Sequence, residues 1–267
     1  MKDILEEIVA HKREEVRLQK EYLPPRRLHV MVEQAMDSTP APLSMSQSLA
    51  GDRHGIIAEF KRKSPSKGWI KEEGQAEVIP PSYARNGAAA LSILTDNRYF
   101  GGSLEFVKRA RPLVDKPILR KDFVVDEYQL FEARLAGADA ILLIAADLRL
   151  QEARALTAMA HELGLEVLME LHSEGELDYA ALDVDMVGVN NRDLGTFHTD
   201  VQHSFAMSAS LPQDKVLVSE SGLGNPDTVM LLRQAGFRGF LMGEHFMKAD
   251  DPGAELARFI AAIGDTL

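Results

Sequence analysis

The chain has 267 residues, a formal net charge of −11 at pH 7 and no cysteine. The missing cysteine excludes disulfides, thiolate nucleophiles and cysteine zinc sites, and the acidic balance argues against a general nucleic-acid or anionic-membrane binder. A small anionic ligand stays compatible with this charge, because a local site can oppose the global balance.

The first 54 residues are predicted to form a helical extension. Residues 1–20 have apolar side chains at helical spacing between charged ones, and a second short helix is predicted near 27–36. Residues 38–55 are typical of a loop. We expect this extension to pack on the main domain, because its apolar content is too small for a separate core.

The sequence contains neither a predicted membrane span nor a predicted export signal. No stretch approaches the roughly 18 apolar residues of a spanning helix, and the charged N-terminus lacks the apolar segment of a secretory signal. We therefore expect a cytoplasmic protein.

From residue 56 onward, short apolar runs alternate with longer helical patterns. Eight runs are predicted to be strands: 56–62, 89–95, 117–123, 140–146, 166–171, 186–192, 216–222 and 239–245. Their starts are about 26 residues apart, the length that a strand and its following helix need in a parallel sheet. Near-continuous apolar runs are typical of strands buried on both faces. The pattern predicts an α/β fold, a single (βα)8 TIM barrel over residues 55–267.

Helices are predicted between these runs. Three of them cover 128–139, 150–166 and 225–239, and each contains a glycine as its stop signal. Pro80 and Pro81 follow the first run, where another helix is expected. Because proline inside a helix costs about 3 kcal/mol, we predict that residues 71–81 are irregular and that this helix begins near Ser82.

Charged and amide side chains lie toward the C-terminal ends of five runs, where barrel enzymes carry their active sites. They are Glu59, Lys61, Lys121, Glu170, Asn190, Arg192 and Glu220. An inward-facing charge in an apolar strand is costly unless it is paired or used. Acids and bases that converge from five strands indicate a site, and the alternative is an ion-pair layer that only shapes the barrel mouth. His172 is interpreted as a capping or surface residue on the face opposite Glu170.

A phosphate site is predicted where the seventh and eighth runs end. Ser221 and Gly222 close the seventh run, Gly243 lies near the end of the eighth, and Ser64 follows the first. Ordinary turn geometry is the alternative explanation for both glycines.

Six segments resemble those of a known family. They are IIAEFKRKSPSKG, LTDNRYFGGSLEFV, PILRKDFVVDEYQ, LMELHSEGEL, VGVNNRDLGTF and VSESGL. Together with the leading segment ILEEIVAHKREEV, they resemble indole-3-glycerol phosphate synthase over essentially the whole chain. The resemblance implies ring closure of 1-(2-carboxyphenylamino)-1-deoxyribulose 5-phosphate, then loss of CO₂ and water, in tryptophan biosynthesis. It implies no metal and no organic cofactor.

The resemblance also implies catalytic roles. Lys121 would be the general acid that protonates the C2 carbonyl oxygen and drives ring closure. Glu170 and Lys61 would serve the later dehydration, one as base and the other as acid. Glu59 would orient Lys61.

Binding roles follow from the same resemblance. Asn190 and Glu220 would hydrogen-bond the reacting groups, and Arg192 would complete the polar layer. The anthranilate ring would lie among four apolar side chains, those of Phe100, Phe123, Leu142 and Leu194. The phosphate would be bound at Ser64, Ser221, Gly222, Gly243 and the backbone of Glu244.

Two expectations concern charge. Some members of the family have serine at the position of Glu244, and a carboxylate cannot donate a hydrogen bond to phosphate. We therefore expect only the backbone N–H of Glu244 to serve, with its side chain turned away. We also expect neighbouring cations to lower the pKa of Lys121 toward the working pH.

Two alternative functions stay open. Phosphoribosylanthranilate isomerase is another phosphate-binding barrel of the same pathway, but it normally employs a cysteine base, which this chain lacks. A catalytically silent barrel that binds a phosphorylated metabolite is the second, and the intact set of Lys61, Lys121 and Glu170 argues against it. The expected partner is a small phosphorylated substrate, and the oligomeric state, monomer or weak dimer, is left open.

Overall fold

Eight parallel strands close into a barrel in a computed structural model that describes residues 4–193, 195–196 and 198–264. The strands in chain order are β1 (Ile56–Phe60), β2 (Lys63–Ser64), β3 (Gly68–Trp69), β4 (Ala90–Leu94), β5 (Ile118–Lys121), β6 (Ala140–Ile144), β7 (Glu166–Leu171), β8 (Met186–Asn190), β9 (Val216–Glu220) and β10 (Gly239–Met242). β2 and β3 form an antiparallel hairpin, and β10 pairs with β1 to close the other eight. The predicted TIM barrel is confirmed, and every predicted run contains its strand.

Helices alternate with the barrel strands. They are α1 (Ile4–Tyr22), α2 (Pro25–Ser38), α3 (Met45–Gly51), α4 (Ile79–Arg85), α5 (Asn97–Phe100), α6 (Leu104–Ala110), α7 (Tyr128–Ala136), α8 (Leu150–Glu162), α9 (Leu177–Ala180), α10 (Gln202–Met207), α11 (Pro226–Gln234), α12 (Glu244–Met247) and α13 (Pro252–Ile263). Gly137 adopts a left-handed conformation with φ 86° directly after α7, as its predicted stop role requires. None of the helices within the described ranges is long and apolar enough to cross a bilayer.

The expectation of a loop over 38–55 is wrong for its middle part. α3 begins after Ser44, whose hydroxyl accepts a hydrogen bond from the backbone N–H of Gln47. Met45 and Leu49 are fully buried and pack with the inward-facing side chains at the bottom of the barrel. The helix is therefore stabilised by tertiary packing against the floor of the barrel. Local composition does not indicate such packing.

The expectation of a helix start near Ser82 is also wrong. α4 begins at Ile79, so Pro80 and Pro81 lie in its first turn. Backbone N–H groups of the first turn have no partner inside the helix, and proline therefore loses no hydrogen bond there.

A buried ion cluster holds α1 across the mouth of the barrel. The Lys12 ammonium lies 3.0 Å from a carboxylate oxygen of Asp96 and 3.0 Å from one of Asp122. Burial disfavours the charge on Lys12, but the surrounding carboxylates outweigh it and raise its pKa. Leu5 and Ile8 follow the same face of the helix and are buried. α1 thus adds an apolar wall above the ends of the strands.

Candidate active site

A cavity of about 990 Å³ opens at the C-terminal ends of the strands. Every predicted site residue that the structure describes lines this cavity. These residues are Glu59, Lys61, Ser64, Phe100, Lys121, Phe123, Leu142, Glu170, Asn190, Arg192, Glu220, Ser221, Gly222, Gly243 and Glu244. Leu194, the remaining predicted residue, lies outside the described part of the chain. The side chains converge because the last inward positions of parallel strands meet at one end of a barrel.

Lys121 lies at the centre of the polar groups. Its ammonium is 3.0 Å from Glu170 Oε2 and 3.3 Å from Glu220 Oε2. Burial opposes the charge, but the carboxylates of Glu170, Glu220 and Glu59 outweigh it and raise the pKa of Lys121 above its usual range. The expectation of a lowered pKa is wrong, because the neighbours of this lysine are anions.

Glu170 is held as an ionised carboxylate although only 2% of it is exposed. Burial would raise its pKa, but Lys121, His172 and Asn190 stabilise the charged form and lower that pKa strongly. Asn190 donates its amide N–H to Glu170 Oε1 at 3.0 Å. The site therefore holds Glu170 in its unprotonated form.

His172 also reaches this carboxylate, contrary to the sequence interpretation. Its Nε2 lies 3.1 Å from Glu170 Oε1, and 13% of its side chain is exposed. Residues 170 and 172 are two positions apart along the chain and therefore share a face. His172 is neither a cap nor a surface residue.

Glu220 has the opposite ionisation tendency to that of Glu170. Burial and the nearby charge of Glu170 outweigh the attraction of Lys121 and raise the pKa of Glu220 to about 8. The two carboxyl groups share one ammonium in a buried space, so one of them takes a proton while the other keeps its charge.

Glu59 and Lys61 form a second ion pair in the cavity. Lys61 Nζ lies 2.7 Å from Glu59 Oε1, and the Ser92 hydroxyl donates to the other oxygen at 3.2 Å. Burial opposes ionisation of Glu59, but Lys61 and Lys121 lower its pKa. A Cβ atom at Gly243 would lie 2.6 Å from this carboxylate, so Glu59 requires glycine there. Close packing thus explains Gly243 independently of any ligand.

The side of the cavity formed by β1, β9 and β10 has the features expected of an anion site. The Ser64 hydroxyl is buried without a hydrogen-bond partner among the described residues. Ser221 has φ 69°, the one positive value for a non-glycine residue in the described chain, and Gly222 follows with φ 75°. Strained backbone of this kind clusters at ligand sites.

Glu244 faces this region with its side chain, so the expectation that it turns away is wrong. One carboxylate oxygen lies 3.6 Å from an Arg192 nitrogen, and the other accepts a hydrogen bond from Lys248 at 2.5 Å. Arg192 also donates to the Ser66 hydroxyl at 3.0 Å. Burial opposes the charge of Glu244, but Lys248, Lys61 and Lys67 lower its pKa. The carboxylate therefore offsets cations that surround the mouth.

An apolar wall faces the acids and bases. The rings of Phe100 and Phe123 lie 5.9 Å apart between centroids, and Leu142 projects from β6. Sequence reasoning missed the contribution of α1, from which Leu5 and Ile8 line the same cavity. The helical spacing of these residues predicts a buried face of the helix. It does not indicate which part of the protein that face packs against.

The hairpin β2–β3 packs beside this wall. Trp69 lies so close to Gly101 that a Cβ atom there would be 2.7 Å from the indole ring. Lys63 donates to the carbonyl of Arg98 at 3.2 Å. The hairpin is therefore docked on the segment that carries Phe100.

Metal-binding geometry is lacking over the ranges that the structure describes. No group of three or more His, Cys, Asp or Glu side chains is arranged there to hold a metal ion.

Comparisons with known proteins identify one family that matches nearly the whole chain. A family model described as indole-3-glycerol phosphate synthase matches residues 5–259. A protein of that name from Bacteroides thetaiotaomicron is 57% identical over 263 residues, covering 98% of this chain and 100% of that protein. Another, from Dechloromonas aromatica, is 44% identical over 266 residues with coverage of 98% and 100%.

Solved structures show the shared fold at low identity. Thiamine phosphate pyrophosphorylase from Pyrococcus furiosus superposes with a TM-score of 0.62 at 16% identity, covering 84% of this chain and 100% of that one. The α subunit of tryptophan synthase from Legionella pneumophila gives 0.60 at 15%, with coverage of 82% and 97%.

Proposed function

Because this chain belongs to the indole-3-glycerol phosphate synthase family, we propose that its cavity residues divide the work of that reaction as follows. The protein is a carboxy-lyase of tryptophan biosynthesis. Its substrate, 1-(2-carboxyphenylamino)-1-deoxyribulose 5-phosphate, closes a ring, then loses CO₂ and water to give indole-3-glycerol phosphate. The contact of Lys121 with Glu170 at the cavity centre is the observation that supports this division most directly.

Substrate binding uses the two contrasting walls. The anthranilate ring lies against Phe100, Phe123, Leu142 and, by our proposal, Leu194. Apolar surroundings weaken the solvation of the aryl carboxylate, which favours its departure as CO₂.

The phosphate lies at the opposite wall. The unpartnered hydroxyl of Ser64 supports its role as a donor to the phosphate. Backbone N–H groups at Ser221, Gly222, Gly243 and Glu244 supply the remaining hydrogen bonds, and Arg192 adds a positive charge.

Lys121 starts the reaction as a general acid. Its ammonium gives a proton to the C2 carbonyl oxygen as the aryl carbon attacks C2. The pKa of Lys121 is raised, but the alkoxide that forms is a stronger base than an amine, so the transfer stays favourable.

Glu170 and Lys61 complete the reaction after CO₂ has left. Glu170, held as an anion, takes the proton from the ring carbon, and the Lys61 ammonium protonates the departing hydroxyl, which leaves as water. Lys61 then regains a proton from solvent, because loss of the substrate carboxylate as CO₂ consumes one proton overall. Glu59 orients Lys61 through their 2.7 Å contact. Asn190 and Glu220 hydrogen-bond the reacting groups.

We extend the proposal to the division of the chain, its partner and its location in the cell. We assign residues 1–54 to an extension that packs on the barrel of residues 55–267, and the whole to one domain. The partner is a small phosphorylated substrate, and a cytoplasmic location suits a biosynthetic enzyme that acts on it.

Indole fluorescence tests the activity directly. The purified protein is mixed with the substrate, and emission is expected to rise as the indole ring forms. An analogue with the C2 carbonyl reduced to an alcohol is the matched control, since it cannot close the ring. Folded protein that produces no indole from the true substrate would contradict the proposal.

A further inference from the structure

His172 lies against the proposed base, although the mechanism above gives it no role. Its Nε2 is 3.1 Å from Glu170 Oε1, the oxygen that accepts the side-chain N–H of Asn190. Lys121 binds the other oxygen at 3.0 Å. Glu170 thus has a cation on one oxygen and an imidazole on the other.

The imidazole belongs to a different cavity from the carboxylate. Glu170 lines the main cavity, whereas His172 lines a neighbouring one of about 670 Å³. This second cavity is bordered by exposed residues, among them Ala146, Asp193 and Gln202. The two cavities share Asn190 and Arg192 in their linings, so the Nε2–Oε1 contact lies at the boundary between them.

The proposed reaction creates a need for such a neighbour. Lys121 becomes a neutral amine when it protonates the carbonyl oxygen, and Glu170 then loses the cation on Oε2. Burial would favour protonation of Glu170 at that stage. A protonated Glu170 could not take the proton from the ring carbon.

We propose that His172, as an imidazolium, is a positioning residue that keeps Glu170 ionised and oriented after Lys121 has given up its proton. The inference rests on the proposed function. Glu170 then accepts the ring-carbon proton and passes it across the 3.0 Å contact to the neutral Lys121 amine. Both groups return to their starting forms, and His172 keeps its own proton throughout.

The surroundings of the imidazole favour its charged form. Burial lowers the pKa of His172, but the carboxylates of Glu170, Glu176 and Glu220 outweigh it and raise that pKa above 6.5. Asp193 lines the same second cavity, and its pKa is lowered mainly by hydrogen bonds from Thr196 and to a smaller extent by the charge of His172. The second cavity adds further titratable or charged groups, namely Arg192, His198, Asp200 and His203.

Two variants test the proposal by separating CO₂ release from indole formation. In His172→Leu, ring closure and decarboxylation proceed, whereas dehydration slows by about 10- to 100-fold because Glu170 is no longer held ready. We expect a burst of CO₂, about one per site, before indole fluorescence appears. His172→Gln keeps a hydrogen-bond donor without the charge, and its indole formation should lie between those of His172→Leu and wild type.

The pH profile gives a second readout. Indole formation by the wild type should fall as His172 deprotonates at alkaline pH, and this loss should be absent from both variants. His161→Gln is the matched control, since His161 pairs with Asp185 on the outside of the barrel at 3.0 Å. Equal melting temperatures and KM values would exclude unfolding as the cause.

The outcomes separate the two proposals. If His172→Leu releases CO₂ and indole together, whether quickly or slowly, the positioning role is overturned. The proposed enzyme activity is left intact by that result. Wild-type protein that releases neither would overturn the proposed function, and this inference with it.

Discussion

Lys121 Nζ lies 3.0 Å from Glu170 Oε2, so the proposed acid of the first step touches the proposed base of the last. They project from β5 and β7, which are separated by one strand. A proton taken from the ring carbon can therefore return to the lysine without passing through solvent. In the proposed mechanism, the pair returns to its starting protonation states within one turnover.

Replacing Lys121 with methionine removes the acid while keeping the length of the side chain. We expect kcat to fall by at least about 10²-fold, because one general acid contributes that much. Substrate should still bind, since the apolar and phosphate walls are unchanged. Indole fluorescence gives the rate, and titration with the reduced analogue gives the affinity. Lys108→Met, at an exposed position of α6, is the control and should leave both values unchanged. Near-normal turnover of Lys121→Met would remove this residue from its role.

Glu220→Gln should stabilise the protein increasingly as pH rises. The native pKa of Glu220 is raised from 4.5 to about 8, so the native state holds a proton that the unfolded chain releases between these values. Its contribution to stability is accordingly favourable below pH 4.5, falls as pH increases and levels off above pH 8. Glutamine does not titrate and avoids this loss. Thermal unfolding at pH 5, 7 and 9 should show a widening gap in Tm in favour of the variant, and a constant gap would contradict the raised pKa.

Lys12→Met should be strongly destabilising. The substitution leaves Asp96 and Asp122 buried without their shared cation, and breaking a buried pair from one side costs about 3–5 kcal/mol. Urea unfolding measures the change in the free energy of unfolding. Arg17→Met removes an exposed ion pair on the same helix and should leave stability close to that of wild type. Similar losses of stability in the two variants would show that burial does not set the contribution of the Lys12 ion pairs to stability.

Glu244→Gln should tighten the binding of phosphate. The carboxylate lies 3.6 Å from Arg192 and would repel an incoming phosphate, so its neutralisation strengthens the cationic wall. We expect the inhibition constant of inorganic phosphate to fall by up to about 5-fold. The effect should shrink at high ionic strength, where such charges are screened. Glu105→Gln, on the outside of α6, is the control, and weaker phosphate binding by Glu244→Gln would refute the repulsion.

The barrel was predictable because its strands are buried on both faces. Ile141 and Leu142 illustrate this, since neighbouring positions of β6 face different layers and both must be apolar. The side chains that converge in the cavity were predictable for the same reason, because a charge such as Glu170 stands out within an apolar run.

Features that depend on tertiary contacts could not be predicted from local pattern. Lys12 is one more charge in a highly charged helix, and only the fold brings it to Asp96 and Asp122. The burial of Met45 and Leu49 likewise depends on the barrel floor that they close.

The ionisation of the site depends on distances that sequence does not contain. Lys121 was expected among cations, yet the strands bring three carboxylates toward it. The contact of His172 with Glu170 was missed because His172 was assigned to the opposite face of the strand. The two-residue period of a strand could have corrected this assignment.

Trp69 is the only tryptophan of the chain and is 47% exposed on the hairpin beside the cavity. Its ring rests against Gly101, with the cationic groups of Arg62 and Lys63 above it at 5.3 and 5.6 Å. The product of the reaction is itself an indole. Fluorescence measurements therefore contain two indole signals, one from the product that forms inside the cavity and one from Trp69 at its rim. The emission of Trp69 reports whether the hairpin is docked.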